Sequence, residues 1–333
     1  MKTRGIPSLF SLLAAAVVSG GLAGAVHAQT YPSKPIRIIA PYAAGTPGDV
    51  VLRMVAEKMR ERLGQPVVVD NRPGANTIIG MEAGAKSPPD GYTLIHTPDA
   101  AMVANPSLYS KLSYDPIRNF DPVTVLGSWT QFLLVHESVP ATSLKELIAL
   151  AKAKPGSLTY ASSGNGSSQH INFEAFKRAA GIDIAHVPYK GVADAARDFL
   201  GGQVSMFILP DGFVAPHIKS GKVRALAVAG VDPKAHSPFF PAVPTYAEAG
   251  LPEFEPLASW TVMLAVAGTP KDIVARLHGE VVGIMRSQEI RERLAAIGVA
   301  ASVSNSPQES ADFIRTQGIR WAKAIGEVGV KLD

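Results

Sequence analysis

Short apolar runs of strand length, each closed by a Gly/Pro/Ser turn and followed by an amphipathic stretch of helix length, recur along this chain. That cadence constrains the fold more than any other feature, because it is how α/β layers are written. Between residues 36 and 96 it occurs three times, with strands expected at 36–40, 67–70 and 93–96 and the first helix at about 49–63. It restarts with strands expected at 158–161, 186–189, 204–208 and 225–229 and helices at about 143–154, 168–180 and 192–200. Ser143 with Glu146, and Ser306-Pro307 with Glu309, form capping boxes, and Thr269 before Pro270 predicts a further helix start. The 30 glycines and 26 prolines in 333 residues supply the connections and argue against a helical bundle.

Two doubly wound α/β lobes are the economical reading. Crossover strands expected near residues 125–135 and 255–265 place 29–129 with 256–333 in one lobe and 130–255 in the other, with a cleft between them.

The N-terminus reads as an export signal. Lys2 and Arg4 precede an apolar stretch from Leu9 to about Ala25, which ends in Val26-His27-Ala28-Gln29. A positive region, an apolar core and small residues before Gln29 predict a secretory signal peptide cleaved after Ala28, hence a soluble mature chain in the periplasm of a Gram-negative cell. Ser19, Gly20, Gly21 and Gly24 dilute the run too far for a membrane anchor. Removing residues 1–28 leaves 30 basic against 28 acidic side chains, too even a balance for a nucleic-acid partner. The chain has no cysteine, which excludes disulfides, thiol nucleophiles, thiolate metal sites and a lipid-modified N-terminal cysteine.

Two loops carry the candidate chemistry. The turn holding Tyr42, Gly45, Thr46 and Asp49 follows the first strand, and at the carboxyl end of a parallel strand a helix N-terminus offers free amides and partial positive charge to an anion. A tight turn with Asp49 as a plain helix cap is the structural alternative. Its counterpart runs through Ser163, Gly164, Asn165, Ser167, Ser168 and His170, dense in neutral donors and free of acidic and Lys/Arg side chains, which suits a carboxylate held without a buried countercharge. The first loop is neither a Walker loop nor a dinucleotide fingerprint.

Weaker candidates surround them. His170 and Glu174 lie four apart on one helix, but without a third ligand a hydrogen-bonded structural histidine is the simpler reading. Ser163 lacks a Gly-x-Ser-x-Gly setting. Asp211, at the end of a strand, reads equally as a ligand contact or a cap, and Trp260 reads as a core residue.

In order, Pro41-Tyr42-x-x-Gly45…Asp49, Val69-Asp70-Asn71-Arg72-Pro73-Gly74-Ala75, Pro89-Asp90-Gly91-Tyr92-Thr93-Leu94, Asn105-Pro106-x-Leu108-Tyr109, Tyr160-x-Ser162-Ser163-Gly164-Asn165-Gly166, His186-Val187-Pro188-Tyr189-Lys190-Gly191 and Gly201-Gly202-Gln203-Val204 resemble the periplasmic receptors of tripartite tricarboxylate transporters, the TctC-like or Bug proteins. The resemblance runs from about Tyr31 to the C-terminus. It implies a two-lobed periplasmic solute-binding fold that closes on a small carboxylate without catalysis. The ligand residues it implies are Tyr42, Gly45, Thr46, Asp49, Ser163, Gly164, Asn165, Ser167, Ser168 and His170. Two departures stand out: Gly45-Thr46 replaces the usual paired glycines, and Ile208 replaces a common aspartate for which Asp211 is the candidate substitute.

The expected function is therefore a monomeric periplasmic receptor that delivers a carboxylate to the large and small membrane subunits of such a transporter, with no cofactor and no metal. A secreted α/β hydrolase using Ser163 and His170, and a sensor subunit using the same ligand site, are the alternatives.

Overall fold

Backbone pairing sorts the strands into two five-stranded sheets. The computed structural model of the chain describes residues 31–332 apart from 233, 235, 238, 298 and 300, so the export segment and its expected cut after Ala28 lie outside the described residues. Every element below belongs to one compact unit, Lys34–Asp333.

The chain order begins β1 (Ile36–Ala40), α1 (Pro47–Leu63), β2 (Val67–Asn71), α2 (Ile78–Ala85) and β3 (Thr93–Pro98). A π turn at Ala100–Ala104 and α3 (Asn105–Leu108) lead to β4 (Phe120–Trp129) and β5 (Gln131–His136). Then come α4 (Leu144–Ala153), β6 (Thr159–Ser162), α5 (Ser168–Ala180), β7 (Ala185–Pro188), α6 (Val192–Leu200), β8 (Met206–Pro210), α7 (Asp211–Lys219) and β9 (Val223–Ala229). The last elements are β10 (Ser259–Val266), α8 (Lys271–Met285), α9 (Gln288–Ala295) and α10 (Pro307–Val328).

The two sheets repeat one plan, β2-β1-β3-β10-β4 and β7-β6-β8-β5-β9. In each, the strand that has just crossed from the other sheet is inserted antiparallel: β10 between β3 and β4, and β5 between β8 and β9. The cadence implied parallel layers, and the sheets are mixed instead. A strand that arrives over a crossover enters at the edge where its parallel neighbours end, so it must run against them.

Alternation along the strands loads both faces of each sheet. In the first, Ile39, Ile95, Trp260, Val262 and Leu264 share one core with Ile314 and Trp321 of α10. In the second, Leu133, Tyr160, Met206 and Ile208 pack with Phe173 and Phe176 of α5, while Phe132, Phe207 and Leu209 pack with Phe199 of α6. Each such fully buried side chain contributes roughly 1.5–3 kcal/mol of transfer free energy.

Helix starts follow local chemistry. The Ser143 and Ser306 hydroxyls accept the amides of Glu146 and Glu309 at 3.2 and 3.1 Å. Thr269 does not cap α8: its hydroxyl donates to the Val266 carbonyl at 2.7 Å, and the helix starts at Lys271, after Pro270. The sequence pattern does not mark helices α3, α7 and α9; α9 is capped by the Ser287 oxygen, which accepts the Ile290 amide at 3.4 Å. No helix among the described residues is long and apolar enough to cross a membrane.

Candidate functional site

Register places the carboxyl ends of β1, β3 and β4, and those of β6, β8 and β9, at the edges the crossovers join. Trp129 at the end of β4 lies opposite Ser259, and Gln131 lies opposite both Pro210 and Ala229. The loops after β1 and β6 therefore open toward the crossing region, where ligands of open α/β sheets bind.

In the first loop the cap of α1 is Thr46, with Pro47 at the first helical position; Asp49 sits three residues past the cap. The Asp49 amide donates to the Thr46 hydroxyl at 3.4 Å, and the Gly45 amide donates back to Asp49 Oδ2 at 2.9 Å. Gly45 holds φ +81°, a left-handed conformation that glycine adopts without strain. Asp49 also accepts from Arg53 at 2.7 Å and from the Asn71 amide at 2.9 Å, and that amide reaches the Tyr42 carbonyl at 3.2 Å. Burial acts to raise the Asp49 carboxyl, but the bonds from Arg53, Gly45 and Asn71 outweigh it and hold it below the usual carboxylate value. Its charge is committed to bracing the loop.

Tyr42 bonds through its hydroxyl to Nδ1 of His96 on β3, with the rings edge to face. His96 is fully buried, and burial lowers its pKa to about 3, so the ring is neutral and Nδ1 can accept the phenol proton.

The second loop repeats the device on α5. Gly166 holds φ +76°, Ser167 is the cap and accepts the His170 amide at 3.3 Å, and the Gly166 amide donates to His170 Nδ1 at 3.0 Å. His170 stacks on His186 at 4.3 Å between ring centroids, and His186 on Tyr160 at 4.7 Å. Burial, then the neighbouring His170, brings the His186 pKa down to about 4, and burial lowers that of His170. Ser163 donates to Gln169 Oε1 at 2.9 Å. Ser162, fully buried, lies 2.6 Å from His186 Nε2 and accepts the Gly164 amide at 3.2 Å. This hydroxyl braces the loop rather than facing a substrate. Glu174 accepts from Tyr160 at 2.6 Å and from Lys177 at 2.9 Å. Among the described residues no group of three or more His, Asp or Glu could hold a metal.

Both helices thus begin with a left-handed glycine, a hydroxyl cap and a side chain that returns to the glycine amide. The first-turn amides of Gly48, Ser168 and Gln169 have no intrahelical acceptor, and both helix dipoles point their positive ends at the crossing edge. Asn165 is exposed, and Ser167 and Ser168 are half-buried beside it. Asp211 is the first residue of α7, and its side chain lies outside the described ones. Ile208 is core, paired with Leu133. Trp260 is core too, edge-on to Phe313 at 5.1 Å.

Between the loops lies a buried polar chain that the sequence did not disclose. Gln131 Nε2 donates to the Ser259 hydroxyl, and Ser259 in turn favours the ionised form of the neighbouring Asp99. Asp99 also accepts the amides of Ala100 at 2.7 Å and Trp260 at 3.3 Å. Burial outweighs these bonds and raises the Asp99 pKa to about 7. Asn71, which ties Tyr42 to Asp49, was visible only as part of a motif.

The model of the family described as "Tripartite tricarboxylate transporter family receptor" matches residues 51–330, which takes in the second loop and begins just past the first. The chain is 38% identical over 325 residues to Protein BugT of Bordetella pertussis, covering 97% of this chain and 98% of that one. Among solved structures it is similar to "R. palustris Rpa4515 with adipate", at TM-score 0.81 and 34% identity over 90% of this chain and 99% of the other. It is also similar to "MatC (Rpa3494) from Rhodopseudomonas palustris with bound malate", at TM-score 0.76 and 30% identity over 89% and 100%.

Proposed function

The chain belongs to the tripartite tricarboxylate transporter receptor family, periplasmic solute-binding receptors and not enzymes, and from that premise we propose that it captures a small organic acid between its two loops. The observation that carries this reading is the matched construction of the two helix starts, Gly45-Thr46…Asp49 and Gly166-Ser167…His170, at facing sheet edges. Free first-turn amides bind a carboxylate without a buried lysine or arginine that would stand unpaired when the ligand leaves. That a relative's structure holds adipate and another's malate supports the same ligand class.

Tyr42, Gly45, Thr46 and Asp49 form the first half of the site, with Asp49 as brace. Ser163, Gly164, Asn165, Ser167, Ser168 and His170 form the second, and Asp211 borders it. The lobes, residues 29–129 with 256–333 and residues 130–255, close on the acid as a monomer. The closed surface then docks on the large and small membrane subunits of the transporter, a population shift that requires tighter binding to the closed form. Export by a signal peptide cleaved after Ala28 delivers the chain to that compartment.

A thermal-shift screen of the purified mature chain against organic acids tests the reading. A true ligand at a hundredfold excess over its dissociation constant stabilises by roughly 2.7 kcal/mol. A screen in which no carboxylate raises the melting temperature refutes it.

A further inference from the structure

Gln131 is the first residue of the strand that enters the second sheet, and Ser259 the first of the strand that returns to the first sheet. Their side chains are bonded to each other, so one contact joins the two crossovers. The Ser259 hydroxyl oxygen accepts from Gln131 Nε2. The carboxamide thus turns Nε2 toward Ser259 and Oε1 away from it. Oε1 is buried and has no hydrogen-bond partner, on a side chain whose residue is 9% exposed.

Position gives that acceptor a purpose. Gln131 shares a face of β5 with Leu133, which lies opposite Ile208 in the core that α5 covers. It stands one pleat nearer the crossing edge, opposite Pro210. Ser162 is on the same face, two residues past Tyr160 of that core, and the loop to Ser167 follows it. An unpaired buried carbonyl oxygen is costly unless something donates to it.

Resting on the carboxylate-receptor reading, we propose that Gln131 is a specificity-determining residue whose Oε1 accepts a hydrogen bond from the ligand. The chain then selects acids that carry a hydroxyl or N–H donor besides their carboxylate. A plain acid leaves Oε1 unpaired in the closed site, while a donor-bearing one completes the chain from ligand through Gln131 and Ser259 to Asp99.

Titration calorimetry on the mature chain with the matched pairs propionate and lactate, succinate and malate, and adipate and hydroxyadipate tests this. In the pair that binds, the donor-bearing acid is expected to bind about ten- to a hundredfold more tightly. Gln131→Met, close in volume, should bring that acid down to its plain partner and leave the plain acid unchanged. A plain acid that binds wild type as tightly as its donor-bearing partner overturns the proposal without any variant, and so does a Gln131→Met protein that weakens both members equally. If none of the six gives heat, the donor-bearing acid that raises the melting temperature most and its donor-free analogue take their place, and a screen in which no carboxylate binds removes the carboxylate reading itself, and this inference with it.

Discussion

The Gly166 amide donates to Nδ1 of His170 at 3.0 Å, the same bond that the Gly45 amide makes to Asp49 on the other helix. One acceptor is a neutral ring and the other a carboxylate neutralised by Arg53, so each loop is closed without net negative charge facing an incoming acid. The two glycines differ in their surroundings. A methyl group on Gly166 would lie 2.6 Å from Leu332 Cδ1, whereas one on Gly45 would meet nothing within 4 Å. Gly45→Ala should cost about 1 kcal/mol from its backbone alone, and Gly166→Ala more, about 2–3 kcal/mol. Chemical denaturation of the two variants checks the order; equal losses would mean that the Leu332 contact yields freely.

Asp49→Ala removes the acceptor shared by Gly45, Asn71 and Arg53. It should destabilise by about 1–3 kcal/mol and weaken ligand binding more than a surface change of equal cost. The Asp49 pKa lies below its unfolded value, so its contribution is present above the unfolded pKa and is lost as pH falls through the folded one. The acid limb of the melting curve should therefore be shallower in Asp49→Ala than in wild type.

Asp99 has the opposite sign. Its folded pKa of about 7 lies above the unfolded value, so its stability contribution is complete at acid pH and is lost as pH rises through neutrality. His96, lowered to about 3, loses stability as pH falls below its unfolded value, and the two partly cancel in wild type. Asp99→Asn deletes one of them. Its stability relative to wild type should rise by about 2 kcal/mol between about pH 5 and pH 8, as read from urea midpoints. A constant difference would show that Asp99 ionises at an ordinary pH.

Trp129 ends β4 immediately before the crossover and is 8% exposed, while Trp260 and Trp321 are fully buried in the core. Closure about the crossovers should change the surroundings of Trp129 and spare the other two. Ligand-induced change in tryptophan emission is expected to vanish largely in Trp129→Phe; a full response in that variant would place the movement elsewhere.

Local grammar explains what was legible in the sequence. Capping hydroxyls, left-handed glycines and strand-length apolar runs act within a few residues, so the loops around Gly45 and Gly166 and most helix starts could be read directly. What escaped depends on distant partners. The Gln131–Ser259 bond spans 128 residues, the Asp99–Trp260 bond spans 161, and the antiparallel insertion of β5 and β10 is a property of the crossovers rather than of either strand. Thr46, not Asp49, caps α1, because Pro47 favours the first helical position and moves the start toward the strand. Thr269 departs from the capping role its place before Pro270 predicts, because its hydroxyl satisfies the carbonyl of Val266 at the end of β10 instead.

The most direct measurement is a crystal structure of the mature chain with the acid that raises its melting temperature most. The account predicts a carboxylate within hydrogen-bond distance of the first-turn amides of α1 or α5, among Gly48, Ser168 and Gln169. An acid bound away from both helix starts, for instance in the groove between Tyr109 and Ile319, would contradict it.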